Sequence, residues 1–106
     1  MYGTIGHFRP KIGHHQVIHA QLAEWEAMIR PDIPGTVHSF NGRCEKHPGE
    51  IVAVLMMKDE PTYRAMTNSP EQRNWHDRLV SHLEEDPEWE DVDWGEPLGN
   101  GASLGK

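Results

Sequence analysis

Glu50-Ile51-Val52-Ala53-Val54-Leu55-Met56-Met57-Lys58 is the stretch that decides how this chain folds. Ile51 to Met57 are all apolar, in a 106-residue chain whose mean hydropathy is -0.73. Strand side chains alternate between two faces, so an unbroken apolar strand needs cover on both. One face can pack on the chain's own helices. A domain this small has little left to cover the other, and a second copy of the chain is the natural cover. The stretch therefore predicts a two-faced sheet and a homodimer.

Working outward, Thr36 to Cys44 reads as a weaker strand. The turn His47-Pro48-Gly49 joins it to strand 50–58 as an antiparallel hairpin. Tyr2 to Arg9 reads as a first strand, closed by Pro10 and Gly13. Between these strands, His14 to Arg30 carries Ile18, Leu22, Trp25 and Ile29 at helical spacing. Val17 and Met28 broaden that stripe, and Pro31 stops the helix. Downstream, Asp59-Glu60-Pro61 opens a short helical piece with Tyr63 and Met66, interrupted at Asn68. Ser69-Pro70-Glu71-Gln72 then starts a helix, with Ser69 as N-cap, Pro70 in the first position and Gln72 completing a capping box. This helix is predicted to run to about Glu85, with Trp75, Leu79 and Leu83 on one stripe. Asp86-Pro87 ends it, and Trp89 to Trp94 forms a last strand.

Two strand–helix–strand units in succession define the fold class. It is α+β, a ferredoxin-like βαββαβ arrangement with a four-stranded antiparallel sheet and its helices on one face. Two bare sheet faces from two subunits would close into a dimeric α+β barrel. One domain is expected over residues 1–95, and residues 96–106 read as a flexible C-terminal tail.

Hydrophobic residues make up 36% of the chain, below the usual ~45–50%, so the core is thin and burial at an interface helps stability. The net charge of -7 argues against nucleic acid or an anionic membrane surface as partner. The crowded acids Glu84, Glu85, Asp86, Glu88, Glu90, Asp91 and Asp93 read as a solvated edge. No stretch reaches the ~18 apolar residues of a membrane span. The single Cys44 allows no internal disulfide, and the N-terminus enters patterned sequence without a signal peptide, so a cytoplasmic location is expected.

The run Tyr63-Arg64-Ala65-Met66-Thr67-Asn68-Ser69-Pro70-Glu71-Gln72-Arg73-Asn74-Trp75-His76-Asp77-Arg78-Leu79-Val80, followed by Leu83-Glu84-Glu85-Asp86-Pro87-Glu88-Trp89, resembles the antibiotic biosynthesis monooxygenase-like family of dimeric α+β barrels. The first strand and strand 50–58 fit as well, and the resemblance covers roughly residues 1–95. It implies a homodimer with a small-molecule pocket in each subunit, between helices and sheet. Some members of that family oxidise polycyclic aromatic compounds with oxygen and neither metal nor flavin, and others degrade haem. The haem-degrading branch carries an Asn on the first strand and a separated Trp and His on the second helix. This chain has no Asn on its first strand, Met66 stands where that Trp would, and Trp75 and His76 are neighbours.

Trp75 and His76 are the leading catalytic candidates, with Asn74 beside them. An oxygenase without a cofactor must deprotonate its substrate to an electron-rich anion. A neutral His can act as the base, and an Asn or Tyr can supply a hydrogen bond. Tyr63, Phe40, His38, Trp25 and His7 are the candidates for lining a substrate pocket, although strand parity is left open for His7 and His38. His15 and His19 stand one helical turn apart beside His14, with no carboxylate or Cys to complete a metal set locally, so no metal is expected; the family resemblance implies no cofactor. The leading expectation is a cofactor-independent monooxygenase acting on a small aromatic or polyketide-like compound. The alternatives are a non-catalytic dimeric binding or stress-associated protein on the same scaffold and, with less support, a haem- or metal-binding protein.

Overall fold

A computed structural model of the chain describes residues 1–95; the expected tail at 96–106 lies outside the described residues. The elements run β1 (Tyr2–Phe8), α1 (His15–Met28), a 3-10 turn (Arg30–Asp32), β2 (His38–Arg43), β3 (Ile51–Met57), α2 (Glu60–Thr67), α3 (Pro70–Val80) and β4 (Glu88–Asp93). The strands form one sheet in the order β2-β3-β1-β4, antiparallel throughout. This is the ferredoxin-like α+β topology, with the sheet open rather than closed on itself.

The β2–β3 hairpin forms as expected, and Gly49 takes a positive φ of 93° at its turn, a conformation that costs glycine little. Asp59 caps α2 by accepting from the Thr62 N–H at 2.9 Å. Ser69 caps α3 by accepting from the Gln72 N–H at 3.2 Å. The reciprocal half of the expected capping box is absent. The Gln72 side chain accepts from the Trp25 indole instead, and the Ser69 N–H goes to the Met66 carbonyl.

Helix α3 ends at Val80, short of the expected Glu85. The His82 and Leu83 N–H groups bond to carbonyls three residues back, which tightens the last turn. The chain then pairs with the segment after β1: Lys11 N–H donates to the His82 carbonyl and Glu84 N–H to the Arg9 carbonyl. Leu83 is buried through this pairing rather than as part of a helical stripe. On α1, Val17 and Met28 are exposed, and the buried stripe is Ile18, Gln21, Leu22 and Trp25.

Register settles the parity of every strand. Ile51, Ala53, Leu55 and Met57 pair with Phe8, Gly6, Thr4 and Tyr2, and these rows face the helices. Trp89, Asp91 and Asp93 continue the same rows on β4. The core is built here, from Phe8, Ile51 and Met57 below and Ile18, Leu22, Trp75 and Leu79 above. The opposite face carries Ile5, Val52, Val54, Met56 and Val92, all only half-buried, and Phe40, which is 64% exposed. No helix among the described residues is long and apolar enough to cross a membrane.

Candidate functional site

Between the helix-bearing face of the sheet and the three helices lies a cavity of about 490 Å³. Its walls follow from strand parity and helix periodicity. Thr4 and Phe8 rise from β1, Ser39 and Asn41 from β2, Ala53 and Leu55 from β3, and Trp89 and Asp91 from β4. The roof is Leu22, Trp25 and Glu26 from α1, Tyr63, Arg64 and Met66 from α2, and Gln72, Trp75 and His76 from α3.

Both roof indoles are fixed. The Trp75 Nε1–H donates to the Gln21 carbonyl at 2.7 Å, and the Trp25 Nε1–H to Gln72 Oε1 at 2.8 Å. With their donors engaged, they serve as rigid aromatic walls. Trp89 is the exposed wall. Its ring lies edge-on to Phe8 at 5.2 Å and tilted to His76 at 5.9 Å, and it is 37% exposed. Gly6 makes room for it, because a Cβ there would lie 2.6 Å from the Trp89 ring.

Polar groups gather at two places. On one side the Tyr63 hydroxyl donates to Asp91 Oδ1 at 2.8 Å, and Arg64 approaches Asp91 Oδ2 at 3.4 Å while donating to the Tyr2 hydroxyl at 2.8 Å. Burial, reinforced by the Asp91 carboxylate, raises the Tyr63 phenol well above its ordinary range, so it stays protonated and acts as a donor. On the other side Glu26 accepts from the Ser39 hydroxyl and from Arg30 at 2.6 Å. Burial works against the Glu26 charge, but the Ser39 and Arg30 donors outweigh it and hold the carboxyl below its usual range. Glu26 is thus an anion, and a poor base. His76 makes no hydrogen bond with the described residues, so its ring nitrogens are free to meet a ligand. His76, Asp77 and Trp89 also line a shallower recess of about 390 Å³ that continues past Asp86 and Pro87.

Of the candidates from sequence, Trp25, Tyr63, Trp75 and His76 converge on the cavity. Asn74 is exposed on α3 and does not line it. His7, His38 and Phe40 belong to the opposite face of the sheet, because their strand neighbours Phe8, Ser39 and Asn41 point inward. Sequence reasoning does not single out Asp91, Arg64, Glu26 or Gln72 as site residues. Asp91 is legible in principle: two residues from Trp89 on one strand, it must share that residue's face. Its place in an acidic run hides it. His15 Nε2 meets the Gly49 carbonyl at 3.2 Å, and no group of three or more metal-capable side chains occurs among the described residues.

No protein-family model matches the chain, and no curated protein matches it by sequence. Solved structures match it closely in shape. SnoaB, a cofactor-independent oxygenase from Streptomyces nogalater solved as a mutant, superposes with a TM-score of 0.77 at 16% identity, over 92% of this chain and 95% of SnoaB. The chain has the fold of the antibiotic biosynthesis monooxygenases. A Nitrosomonas europaea protein provisionally assigned as such a monooxygenase gives a TM-score of 0.72 at 18% identity, over 89% of this chain and 98% of its own. A conserved protein from Methanosarcina mazei gives 0.76 at 12% identity, over 86% and 89%. At these identities the monooxygenase fold is shared, and function has to be argued from the cavity.

Proposed function

We propose that the chain is a cytoplasmic, cofactor-independent monooxygenase that takes a small aromatic or polyketide-like substrate into the helix–sheet cavity and works as a homodimer. The observation that carries this reading is the cavity itself, where an unengaged His76 stands among Trp25, Trp75 and Trp89 with the Tyr63–Asp91 pair in the same wall. Flat apolar walls suit a planar ring system, and a few polar groups suit its oxygens. The likeness of shape to SnoaB supports the same class of chemistry.

In this reading His76 removes a proton from a substrate methylene activated by a neighbouring carbonyl. The resulting anion gives its electrons to oxygen and forms a carbon-bound peroxide. His76 returns the proton to the peroxide, and loss of water, with the second C–H proton, leaves a new carbonyl. The balance is one substrate methylene and one dioxygen consumed, one ketone carbonyl and one water formed. Asn74 has no part in this scheme. The dimer is supported by the open sheet face, where Ile5, Val52, Val54 and Met56 lie half-exposed beside Phe40.

Oxygen uptake with anthrone tests the reading. Uptake matched one-to-one by anthraquinone, and lost in His76→Ala, is expected; turnover unchanged in His76→Ala removes His76 from the mechanism. A second reading, ligand binding without turnover, is favoured by one observation: no described residue hydrogen-bonds the His76 ring. Saturable anthrone binding without oxygen uptake would select it.

A further inference from the structure

His7 stands on the open face of the sheet, away from the cavity, between two carboxylates. Its Nδ1 lies 2.8 Å from Glu50 Oε1 and its Nε2 lies 3.2 Å from Glu90 Oε2. Glu50 ends the β2–β3 turn and Glu90 is on β4, so the ring ties the two neighbours of β1 together across it. A neutral imidazole has one N–H and one lone pair, and only the imidazolium has two donors. Flipping the ring exchanges the nitrogens and leaves that requirement unchanged. The other charges facing the ring are Glu88, opposite it on β4, and Arg9, whose Nη2 is 3.8 Å from Glu50 Oε2.

The neighbours of this clamp are apolar. Val52 is opposite His7 on β3, and the next row runs Phe40, Val54, Ile5, Glu90 across the sheet. The side chain of Glu50 is only 11% exposed within one chain. With His7 charged, the set His7, Arg9, Glu50, Glu88 and Glu90 carries two positive and three negative charges. With His7 neutral it carries one positive and three negative, and one carboxylate loses its donor. Covering that carboxylate with an apolar partner surface is costly. A two-fold interface also brings two such patches to the same surface, so the added charge is counted twice.

We infer that His7 is a proton-operated control on the sheet face through which two copies associate: the clamp closed by an imidazolium permits association, and its opening weakens it. This rests on the homodimer reading above. The pairing with Glu50, opposed by desolvation and reinforced by Glu90, raises the His7 pKa above its ordinary value of 6.5. A raised pKa makes this stabilisation of the folded chain complete below about 6.5 and lost as pH rises through the folded value; covering the face favours the imidazolium further, so association also falls toward alkaline pH.

Sedimentation equilibrium of the full chain at about pH 6 and about pH 8.5 tests this, the first below and the second well above the ordinary His value. The wild-type dissociation constant is expected to rise by up to about a hundredfold for each pKa unit by which association raises His7, a factor of ten from each of two protomers. His7→Gln should flatten the response, and His38→Gln, on the same face, should keep it. Glu90→Gln, at an exposed carboxylate, should shrink it and serves where His7→Gln fails to fold. A wild-type constant equal at both pH values, or a slope unchanged in His7→Gln, overturns the inference and leaves the dimer standing. A chain monomeric at both values overturns the dimer reading and this inference with it.

Discussion

Replacing Gly6 by Ala adds one methyl group at the floor of the cavity. Built on the existing backbone, that carbon lies 2.6 Å from Trp89 Cζ3, and 2.9 Å from both Trp89 Cε3 and Phe8 Cε1. Carbon atoms in ordinary contact stand about 3.5–4.0 Å apart, so both rings have to give way, Trp89 by about 1 Å and Phe8 by somewhat less. Phe8 is 1% exposed and locked in the core, whereas Trp89 is 37% exposed on edge strand β4. Trp89 is therefore the ring that moves further, and with it the contact to His76. Overpacking of this kind costs about 1–3 kcal/mol, and the shift forced on buried Phe8 keeps Gly6→Ala off the low end of that range. Urea unfolding should show a loss of about 2 kcal/mol with unchanged m, and anthrone affinity, followed by tryptophan quenching, should fall at the same time. Gly3→Ala is the internal comparison. Its added carbon would lie 1.7 Å from the Leu55 carbonyl oxygen, so the β1–β3 ladder itself must part and the loss should be larger. A Gly6→Ala protein as stable as wild type and with unchanged anthrone affinity would refute the placement of Trp89 as a cavity wall.

Other substitutions probe separate links. Gln72→Leu leaves the buried Trp25 indole N–H without its acceptor and should cost about 1–3 kcal/mol by chemical denaturation. Leu79→Ala, at a fully buried position, should cost about 2–5 kcal/mol in the same assay. Tyr63→Phe removes the donor to Asp91 and should lower stability by about 1.5–3 kcal/mol while weakening anthrone binding. Phe40→Glu, on the open face, should leave monomer stability within about 0.5 kcal/mol yet abolish self-association in light scattering.

Much of the architecture is legible because local and tertiary signals agree. The apolar run Ile51 to Met57, the turn at Gly49 and the caps at Asp59 and Ser69 all point to the elements that form. Sequence misleads where a distant partner displaces a local one. Gln72 turns from its own helix to Trp25, and residues 81–85 leave the helix to pair with Arg9 to Lys11. The site is legible in part. Helical periodicity turns Trp25 and Trp75 inward, each on its own helix, with His76 beside Trp75, but strand parity decides which of two faces a strand residue joins. One residue of shift exchanges His38 and Phe40 for Ser39 and Asn41, and nothing local to β2 fixes that choice. The ion pairs of Asp91 with Arg64 and the Glu26–Ser39 contact join different elements, and no spacing rule finds them.

The central claim is that aromatic ligands enter the cavity between helices and sheet, and the indole N–H resonances of the four tryptophans test it most directly. Trp25, Trp75 and Trp89 line the cavity, and Trp94 does not. Titration with anthrone should shift the first three saturably and leave the fourth in place. No saturable shift, or a response confined to Trp94, would contradict the account.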